Sequence, residues 1–211
     1  MDIQHLYDYC SSVSKPESKL LSTINRETHL RMINPRMLAG HLQGKFLEML
    51  SLMLRPQRIL EIGTFTAYST ICLSAGLRDD GEIHTIEQNI ELEGIILSNI
   101  HKASLTSKVF LHKGDAIDII PTLTGMFDLI YLDADHRRAP AYFRMLKPLI
   151  TSGGFLIVDN ALWNGKVPYP NKHDDPESKA MAAFNHLVLY DNEVDNLLLP
   201  FRDGIMLIRK K

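Results

Sequence analysis

The sequence lacks the features that mark secreted, membrane-bound and disulfide-stabilised proteins. Only two of its 211 residues are cysteines, Cys10 and Cys72, and two are too few for a disulfide framework. The best apolar stretch, residues 46–54, is interrupted by Glu48 and is too short to cross a bilayer. The N-terminus has neither the basic start nor the apolar core of a secretory signal. We therefore expect a cytoplasmic protein without a membrane partner.

The sequence also lacks an excess of either charge. It has 23 lysines and arginines against 25 aspartates and glutamates, a formal net charge of −2. Proteins that bind DNA or other polyphosphates nonspecifically carry a clear positive excess, so this class is disfavoured and no DNA partner is expected. A local basic patch stays open, and its candidate members are Arg26, Arg31, Arg36, Arg137 and Arg138.

The hydrophobic pattern predicts a single domain, residues 1–211, with two sections. Hydrophobic residues make up 45% of the chain, which is ordinary for a globular protein. Residues 1–55 have helical periodicity, whereas residues 56–211 form an α/β core in which short apolar runs alternate with helix-sized segments. The apolar runs, predicted as strands, are residues 58–62, 82–86, 108–112, 127–133, 154–159, 195–200 and 205–210. The helix-sized segments between the first five runs are residues 67–77, 88–104, 115–122 and 137–150.

This alternation predicts a doubly wound α/β sheet of seven strands. Most runs are continuously apolar, as expected for strands that helices cover on both faces. Only residues 201–204 join the last two runs, which is too short for a parallel crossover, so these runs are expected to form an antiparallel hairpin. Residues 166–178 contain three prolines and are predicted to form a surface loop over the site.

The turn after the first predicted strand has features of a ligand-binding turn. Gly63 permits a tight turn and a close backbone approach, and the following helix presents free N–H groups. The turn has neither the lysine of a P-loop nor the GxGxxG pattern of dinucleotide-binding proteins. Glu61 instead suits a ligand with a cationic amino-acid end, and Thr64 and Ser69 are predicted to contact the same ligand. An ordinary strand-to-helix turn is the alternative.

Acidic residues end the next two predicted strands. Glu87 could accept hydrogen bonds from both ribose hydroxyls of a nucleoside, although a solvated residue at the start of a helix is the alternative. Asp115 and Ala116 could border an adenine. Together these strand ends predict an adenosine-containing ligand with a charged amino-acid tail, which S-adenosylmethionine fits.

Oxygen-bearing side chains follow the fourth and fifth predicted strands. Asp133 ends the fourth, and Asp159 and Asn160 end the fifth; carboxyl ends of such strands lie side by side beside the ligand crevice. Two carboxylates and an amide suit Mg²⁺, with Mn²⁺ or Ca²⁺ less suited. Zinc is disfavoured because no cysteine or histidine has ligand spacing with them. A helix N-cap is the alternative role for any single aspartate.

In order along the chain, the segments LEIGTFTAYS, HTIE, GDA, FDLIYLDADH, DNALWNG and LPFRDGIMLIRK resemble the cation-dependent class I O-methyltransferases of the caffeoyl-CoA and catechol type. The resemblance covers residues 30–211. It implies a seven-stranded, Rossmann-like methyltransferase fold, S-adenosylmethionine as the methyl donor, and Mg²⁺ held by Asp133, Asp159 and Asn160. It also implies a small hydroxylated aromatic substrate, a homodimer, and contact of Met32 with the donor or the acceptor.

Three positions depart from the pattern of that family. Ala67 replaces a usual glycine, which is tolerable unless the backbone needs a positive φ. His136 replaces the usual lysine base, and an imidazole of ordinary pKa, about 6.5, can accept a proton at neutral pH. Ala139 replaces a frequent tyrosine. We predict His136 and Asp133 as catalytic residues; a surface histidine, with the metal alone deprotonating the hydroxyl, is the alternative.

Two aromatic residues are predicted to contact the substrate. Trp163 follows the metal pair in the segment NALWNG and could form one wall for a flat substrate, although a lone tryptophan is more often a core residue. Tyr169 lies in the predicted surface loop and contacts either substrate or solvent.

The sequence therefore predicts a metal-dependent enzyme that transfers a methyl group from S-adenosylmethionine to a catechol-like or ortho-dihydroxy small molecule. The first alternative is a tRNA 5-hydroxyuridine O-methyltransferase, whose arginines would contact RNA phosphates. The second is a catalytically inactive S-adenosylmethionine-binding protein. The intact set of metal-binding residues argues against this second alternative.

Overall fold

The computed structural model describes residues 3–169 and 175–211. Three helices precede the sheet: α1 (Ile3–Val13), α2 (Lys19–Arg31) and α3 (Gly40–Leu54), with a 3₁₀ turn at Pro35–Met37 between the last two. Helix α2 begins after Pro16 because Ser18 is its N-cap, and the Ser18 side chain accepts a hydrogen bond from the backbone N–H of Leu21. The long helical section is thus divided into three helices by two turns, the first of which carries this side-chain cap.

Seven strands form one mixed sheet. They are β1 (Arg58–Ile62), β2 (Glu82–Glu87), β3 (Val109–Lys113), β4 (Phe127–Leu132), β5 (Ile150–Val158), β6 (Val194–Leu199) and β7 (Ile205–Lys210). Their order is β3-β2-β1-β4-β5-β7-β6, with the first five parallel and β7 antiparallel to both of its neighbours. The order reverses at β1, between β2 and β4, which opens a crevice at the carboxyl ends of these strands. The predicted doubly wound sheet and C-terminal hairpin are confirmed.

Helices cover both faces of the sheet. The remaining helices are α4 (Tyr68–Leu73), α5 (Glu93–Lys102), α6 (Ala116–Ile119), α7 (Ala139–Leu146) and α8 (Pro176–Leu189). Neighbouring strand residues enter opposite apolar clusters: Leu60 packs with α6, α7 and α8, whereas Ile59 packs with α2, α3, α4 and α5. Burial on both faces explains the continuous apolar runs. No helix in the described part of the chain is long and apolar enough to cross a bilayer.

Strand β5 is longer than the predicted strand 154–159. It begins at Ile150, and its pairing with β4 skips residues 151–154, where a bulge places Gly153 at a φ of +80°. The bulge interrupts the apolar pattern, so the sequence does not show where the strand begins.

Several helix boundaries also differ from expectation. Helix α8 begins inside the predicted loop 166–178, because Asp175 caps it by accepting a hydrogen bond from the backbone N–H two residues later. The predicted helix 137–150 ends earlier, with α7 finishing at Leu146 and a 3₁₀ turn leading into β5.

Candidate active site

The turn after β1 brings the backbones of neighbouring strands into close contact. Gly63 has a φ of +99°, and a Cβ atom there would lie 2.0 Å from the carbonyl oxygen of Asp133. The Gly63 N–H donates to the carbonyl of Ile86 over 3.0 Å. Thr64 is buried and shares a 2.5 Å hydrogen bond with the Thr85 hydroxyl. The turn therefore lies between β1, β2 and β4, at the mouth of the crevice.

Ala67 ends this turn as the N-cap of α4. It is fully buried and has φ +63° and ψ +20°. A left-handed backbone costs a residue with a Cβ about 1–2 kcal/mol. The departure from glycine therefore carries a backbone cost, because the position does require a positive φ.

The substitution Ala67→Gly is expected to change the free energy of unfolding by less than about 1 kcal/mol. Glycine adopts the left-handed backbone without strain, which stabilises the variant. This gain is offset by the loss of a buried methyl group, about 0.8 kcal/mol, and by the greater conformational entropy of glycine in the unfolded chain. Ala139 is a matched control, since it is also buried but has a φ of −51°. Ala139→Gly is expected to lose about 1.5 kcal/mol. Equal losses in urea unfolding would contradict the strain at Ala67.

The carboxyl group of Glu61 is fully buried beneath the turn. Its Oε2 accepts hydrogen bonds from Thr70 at 2.5 Å and Thr85 at 2.7 Å, while Oε1 has no partner among the described residues. Burial raises the pKa of Glu61 from 4.5 to about 7; the hydroxyls, including that of Ser69, oppose the rise, and Glu87 adds to it. A cationic ligand group nearby would satisfy the unpaired oxygen and favour the ionised form.

The raised pKa of Glu61 predicts pH-dependent stability of the ligand-free chain. Between pH 4.5 and 7 the folded chain keeps a proton that the unfolded chain releases. The resulting contribution is complete below pH 4.5 and is lost as pH rises through 7. Between pH 4.5 and pH 8, this loss lowers the free energy of unfolding of the wild type by about 3 kcal/mol. Glu61→Gln has no carboxyl group at this position and should not show that decrease. Urea unfolding across this range tests the difference, and parallel profiles would contradict it.

Backbone N–H groups hold Glu87 at the end of β2. Its Oε2 accepts a hydrogen bond from Phe65 and its Oε1 accepts one from Asn89, each at 2.8 Å. The Phe65 contact ties the carboxylate to the turn after β1. Glu87 therefore lies at the carboxyl end of β2, beside the crevice.

Asp115 and Ala116 follow β3 at the start of α6. The Asp115 Oδ1 caps this helix, and Oδ2 accepts a 2.6 Å hydrogen bond from the Arg138 guanidinium. This guanidinium holds the pKa of Asp115 below its ordinary value. Ala116 is buried beside it. The end of β3 therefore combines a polar side chain, Asp115, with an apolar one, Ala116.

Asp133 and Asp159 lie side by side at the ends of β4 and β5. They follow Leu132 and Val158, which are paired in register, and the Asp159 N–H donates to the Leu132 carbonyl at 3.0 Å. Burial and the charge of Asp159 raise the pKa of Asp133 well above its ordinary value, while Arg202 opposes this rise. The fold thus places two acidic residues at adjacent strand ends on one edge of the sheet.

Asn160 adds the third predicted oxygen. It has a φ of +55°, a conformation that asparagine adopts more readily than most residues. Its Nδ2 lies 3.4 Å from Asp203 Oδ2. Among the described residues, no cluster of three His, Cys, Asp or Glu side chains could hold a metal ion. The predicted set differs from such a cluster because it has two carboxylates and an amide.

Gln43 of α3 is a site residue that the sequence analysis missed. Its buried Nε2 donates to Asp159 Oδ2 at 2.5 Å and to the Tyr131 hydroxyl at 2.9 Å. The Tyr131 hydroxyl also donates to the same carboxylate oxygen over 3.2 Å. The Gln43 Oε1 accepts a hydrogen bond from the Arg202 guanidinium. The N-terminal helices therefore help to orient Asp159.

A sequence signal for Gln43 existed in the helical pattern. Gln43, Leu47 and Ser51 are four residues apart and are all buried on one side of α3. A polar side chain in such a buried row needs an internal hydrogen-bond partner. The pattern does not say which residue that partner is.

His136 begins the 3₁₀ turn after β4 and packs on Trp163. Their ring centroids are 4.7 Å apart and the rings are tilted by 42°. The His136 Nε2 is buried and has no partner among the described residues. Burial lowers the pKa of His136, opposed mainly by the charges of Asp159 and Asp135, so the ring is neutral at neutral pH. His136 is therefore partly buried against Trp163 while it opens the 3₁₀ turn.

Trp163 is held from its other end by Asp175. The Asp175 Oδ2 accepts hydrogen bonds from Trp163 Nε1 and Lys166 Nζ, each at 3.0 Å. The indole is partly buried and packs against the cluster formed with α6, α7 and α8. Tyr169 is 55% exposed, and the part of the predicted loop at 170–174 lies outside the described residues.

Met32 lies at the C-terminal end of α2, near the turn after β1. Its backbone N–H donates to the carbonyl of Thr28, whose hydroxyl donates to Thr66 at 3.1 Å. The end of α2 is therefore tied to the crevice, although no described contact joins Met32 to the predicted ligand-binding residues.

A sheet of this strand order, with its crevice and acidic residues at one edge, defines the Rossmann-like methyltransferases. Residues 11–211 match the O-methyltransferase family, and the chain belongs to that family. The catechol O-methyltransferase of Niastella koreensis is 35% identical over 161 residues, which cover 74% of this chain and 72% of that protein. Caffeoyl-CoA O-methyltransferase 1 of Eucalyptus globulus is 34% identical over 180 residues, which cover 80% and 72%.

Solved structures agree with this assignment. An O-methyltransferase from Bacillus cereus in complex with SAH has a TM-score of 0.91 and 30% identity, covering 98% of this chain and 97% of its own. The O-methyltransferase TomG of Streptomyces achromogenes, in complex with SAM, has a TM-score of 0.90 and 30% identity, covering all of both chains. The predicted family and enzyme class are therefore confirmed.

Proposed function

We propose that the protein transfers the methyl group of S-adenosylmethionine to one hydroxyl of a catechol-like small molecule, with a divalent cation, Mg²⁺ first, held at the site. The observation that carries this proposal is the placement of Asp133, Asp159 and Asn160 at adjacent strand ends beside the crevice. The catechol and caffeoyl-CoA enzymes among the relatives support the same acceptor class.

The residues at β1, β2 and β3 suit the two ends of the donor. S-adenosylmethionine supplies an electrophilic methyl carbon on a positively charged sulfur. Glu87, fixed by two backbone N–H groups, suits the ribose hydroxyls, and Asp115 with Ala116 would border the adenine. The unpaired Oε1 of Glu61 suits the amino-acid end.

The chemistry of Asp133, Asp159 and Asn160 fits a hard divalent cation. Burial first, and then the charge of Asp159, raise the pKa of Asp133 despite the opposing charge of Arg202, and a bound cation would relieve both effects. Oxygen ligands without sulfur or imidazole suit Mg²⁺ rather than zinc. Bound there, Mg²⁺ would lower the pKa of a coordinated hydroxyl and fix its oxygen. Gln43 would keep Asp159 in its orientation.

His136 and Trp163 would act on the acceptor. The Trp163 ring, held by Asp175, offers a wall for a flat ring. The neutral His136 has an unpaired Nε2, which is the atom available to accept the hydroxyl proton. Much of the remaining rate enhancement would come from orientation.

The substitution His136→Ala is expected to lower kcat about 100-fold at pH 7 if this residue accepts the proton. The loss should be much smaller above the pH at which the catechol hydroxyl ionises without help. His136→Gln keeps a polar side chain but has no basic nitrogen, so it distinguishes the loss of side-chain volume from the loss of basicity. Rates measured from pH 6 to 10 test the assignment, and an equal loss at every pH would make His136 a positioning residue.

The proposed function is tested with labelled S-adenosylmethionine and matched acceptors. Catechol, phenol and undermodified tRNA are each incubated with the enzyme, with EDTA and after restoring Mg²⁺. We expect methylation of catechol alone, loss of activity with EDTA and recovery with Mg²⁺. Turnover insensitive to EDTA would overturn the metal assignment, and preferential methylation of tRNA would overturn the acceptor class.

The described contacts do not favour the tRNA alternative. Arg138 pairs with Asp115 at 2.6 Å, and Arg137 lies 3.3 Å from both Asp135 and Glu177, so two of the candidate arginines are engaged within the chain. Methylation of catechol would also exclude the inactive binding protein. The homodimer and the cytoplasmic location stay predictions.

A further inference from the structure

A groove lies beside the candidate metal site, between the N-terminal helices and the turn that joins β6 to β7. It has a volume of about 400 Å³. Its lining includes His29 of α2, Arg36 of the 3₁₀ turn, Ala39 before α3, and Arg202 and Asp203 of the β6–β7 turn. The proposed function does not use this groove.

The pairing of the strands places one wall of the groove at the reaction edge of the sheet. Val158, at the end of β5, pairs with Met206 at the start of β7, so the β6–β7 turn lies at the same edge as Asp159. The Leu162 N–H donates to the Asp203 carbonyl at 2.7 Å, which fixes this turn against the chain that follows Asp159.

Two side chains connect the groove to the metal-binding residues. The Asp203 carboxylate lies 3.4 Å from the Asn160 amide nitrogen. The Arg202 guanidinium donates to the Ala39 carbonyl and to Gln43, which in turn holds Asp159. The groove thus begins beside β5, whereas the proposed donor residues lie at β1, β2 and β3 on the other side of the acidic pair. A ligand in the groove would be part of the acceptor.

The groove favours negative charge. Arg36 is exposed and makes no ion pair or hydrogen bond with any described residue. Arg202 adds a second guanidinium. His29 adds no donor, because its Nδ1 donates to the Asn25 carbonyl at 3.0 Å and the neutral ring therefore presents Nε2 as an acceptor. Asp203 is the acidic side chain among the described lining residues, and it faces the Asn160 amide.

We propose that the acceptor carries a carboxylate or phosphate group in addition to its two hydroxyls, and that this anionic group binds in the groove against Arg36 and Arg202. Guanidinium groups bind both anions through charge-assisted, paired hydrogen bonds. This inference rests on the proposed function, because the hydroxyls must lie at the acidic pair for the substituent to reach the groove.

Three catechols that differ in the charge of one substituent test the selectivity. They are 3,4-dihydroxyphenylacetate, 4-ethylcatechol and dopamine, which carry a negative, a neutral and a positive group. We expect the wild type to have a kcat/KM about tenfold higher for the anion than for the neutral compound, and lowest for the cation. Addition of 0.5 M NaCl should reduce the preference. A phosphate-bearing catechol then distinguishes the two anion types.

Arg36→Gln is the test variant and Arg31→Gln is its matched control. Arg31 is an exposed arginine at the end of α2 that does not line the groove. Arg36→Gln should raise the ratio of KM for the anion to KM for 4-ethylcatechol about fivefold. Arg31→Gln should leave this ratio unchanged. Equal kcat/KM values for the three acceptors in the wild type, or equal effects of both substitutions, would overturn the proposal.

A binding measurement separates this proposal from the proposed function. Trp163 is the only tryptophan of the chain and packs on His136, so its emission reports acceptor binding without turnover. If no catechol is methylated, the proposed function fails. If the anion nevertheless binds more tightly than 4-ethylcatechol, and Arg36→Gln weakens that binding, the anion-binding groove is still supported. If the anion binds no more tightly than 4-ethylcatechol, the proposal is overturned.

Discussion

Replacing Asp159 with asparagine is expected to lower turnover of a catechol acceptor by about 100-fold or more. The substitution removes the charge of one proposed metal ligand, while an amide oxygen can still accept the hydrogen bond from Gln43. S-adenosylhomocysteine should bind within about twofold of the wild-type affinity, because the proposed donor residues lie at β1, β2 and β3. Calorimetry with this compound and turnover at increasing Mg²⁺ concentration measure the two effects separately.

Gln43→Leu is the companion variant, since it removes the amide but none of the proposed ligands. It should lower the apparent Mg²⁺ affinity about tenfold, because the Asp159 carboxylate loses a positioning hydrogen bond. Its free energy of unfolding provides the control for structural damage. If Asp159→Asn keeps wild-type turnover and the wild type needs no added cation, the ion has no place in the reaction.

Replacing Gly63 with alanine is expected to lower the free energy of unfolding by about 3 kcal/mol or more and to abolish donor binding. The new Cβ would lie 2.0 Å from the Asp133 carbonyl oxygen, and the φ of +99° is unfavourable for any residue with a Cβ. Relief of the contact requires β1 and β4 to separate at the carboxyl edge, where the donor is proposed to bind. Thermal unfolding and calorimetry with S-adenosylhomocysteine measure the two losses.

Gly94→Ala is the control for the glycine substitution. Gly94 lies in α5, and a Cβ added there would have no atom within 4 Å, so alanine should increase stability by about 0.5–1 kcal/mol. A Gly63→Ala variant that unfolds like the wild type would show that the two strand ends can move apart without cost.

The strands were predictable because they are buried on both faces. Leu60 and Ile59 enter opposite clusters, so β1 needs apolar residues at successive positions and reads as a continuous run. The hairpin of β6 and β7 was predictable from the short connection 201–204, which allows only an antiparallel return. Asp133 and Asp159 could be identified as neighbours because each ends a predicted strand of one sheet.

Other features depend on residues that are far apart in the chain. Gln43 and Asp159 are separated by 116 positions, and only the packing of α3 against the sheet brings their side chains together. The bulge of β5 follows from its pairing with β4, not from local preference. The groove between α2 and the β6–β7 turn likewise has walls from both ends of the chain.

The sequence by itself determined the order of strands and helices, the tight turn at Gly63 and the residue types at the strand ends. Local periodicity and turn chemistry are encoded within a few residues, so they can be read directly. The tertiary structure decided how Asp159 is held, why Ala67 is strained and which arginines face a groove. Those properties depend on burial and on contacts between segments that are distant in the chain. The hydrophobic periodicity of one segment does not indicate which distant segment it will contact.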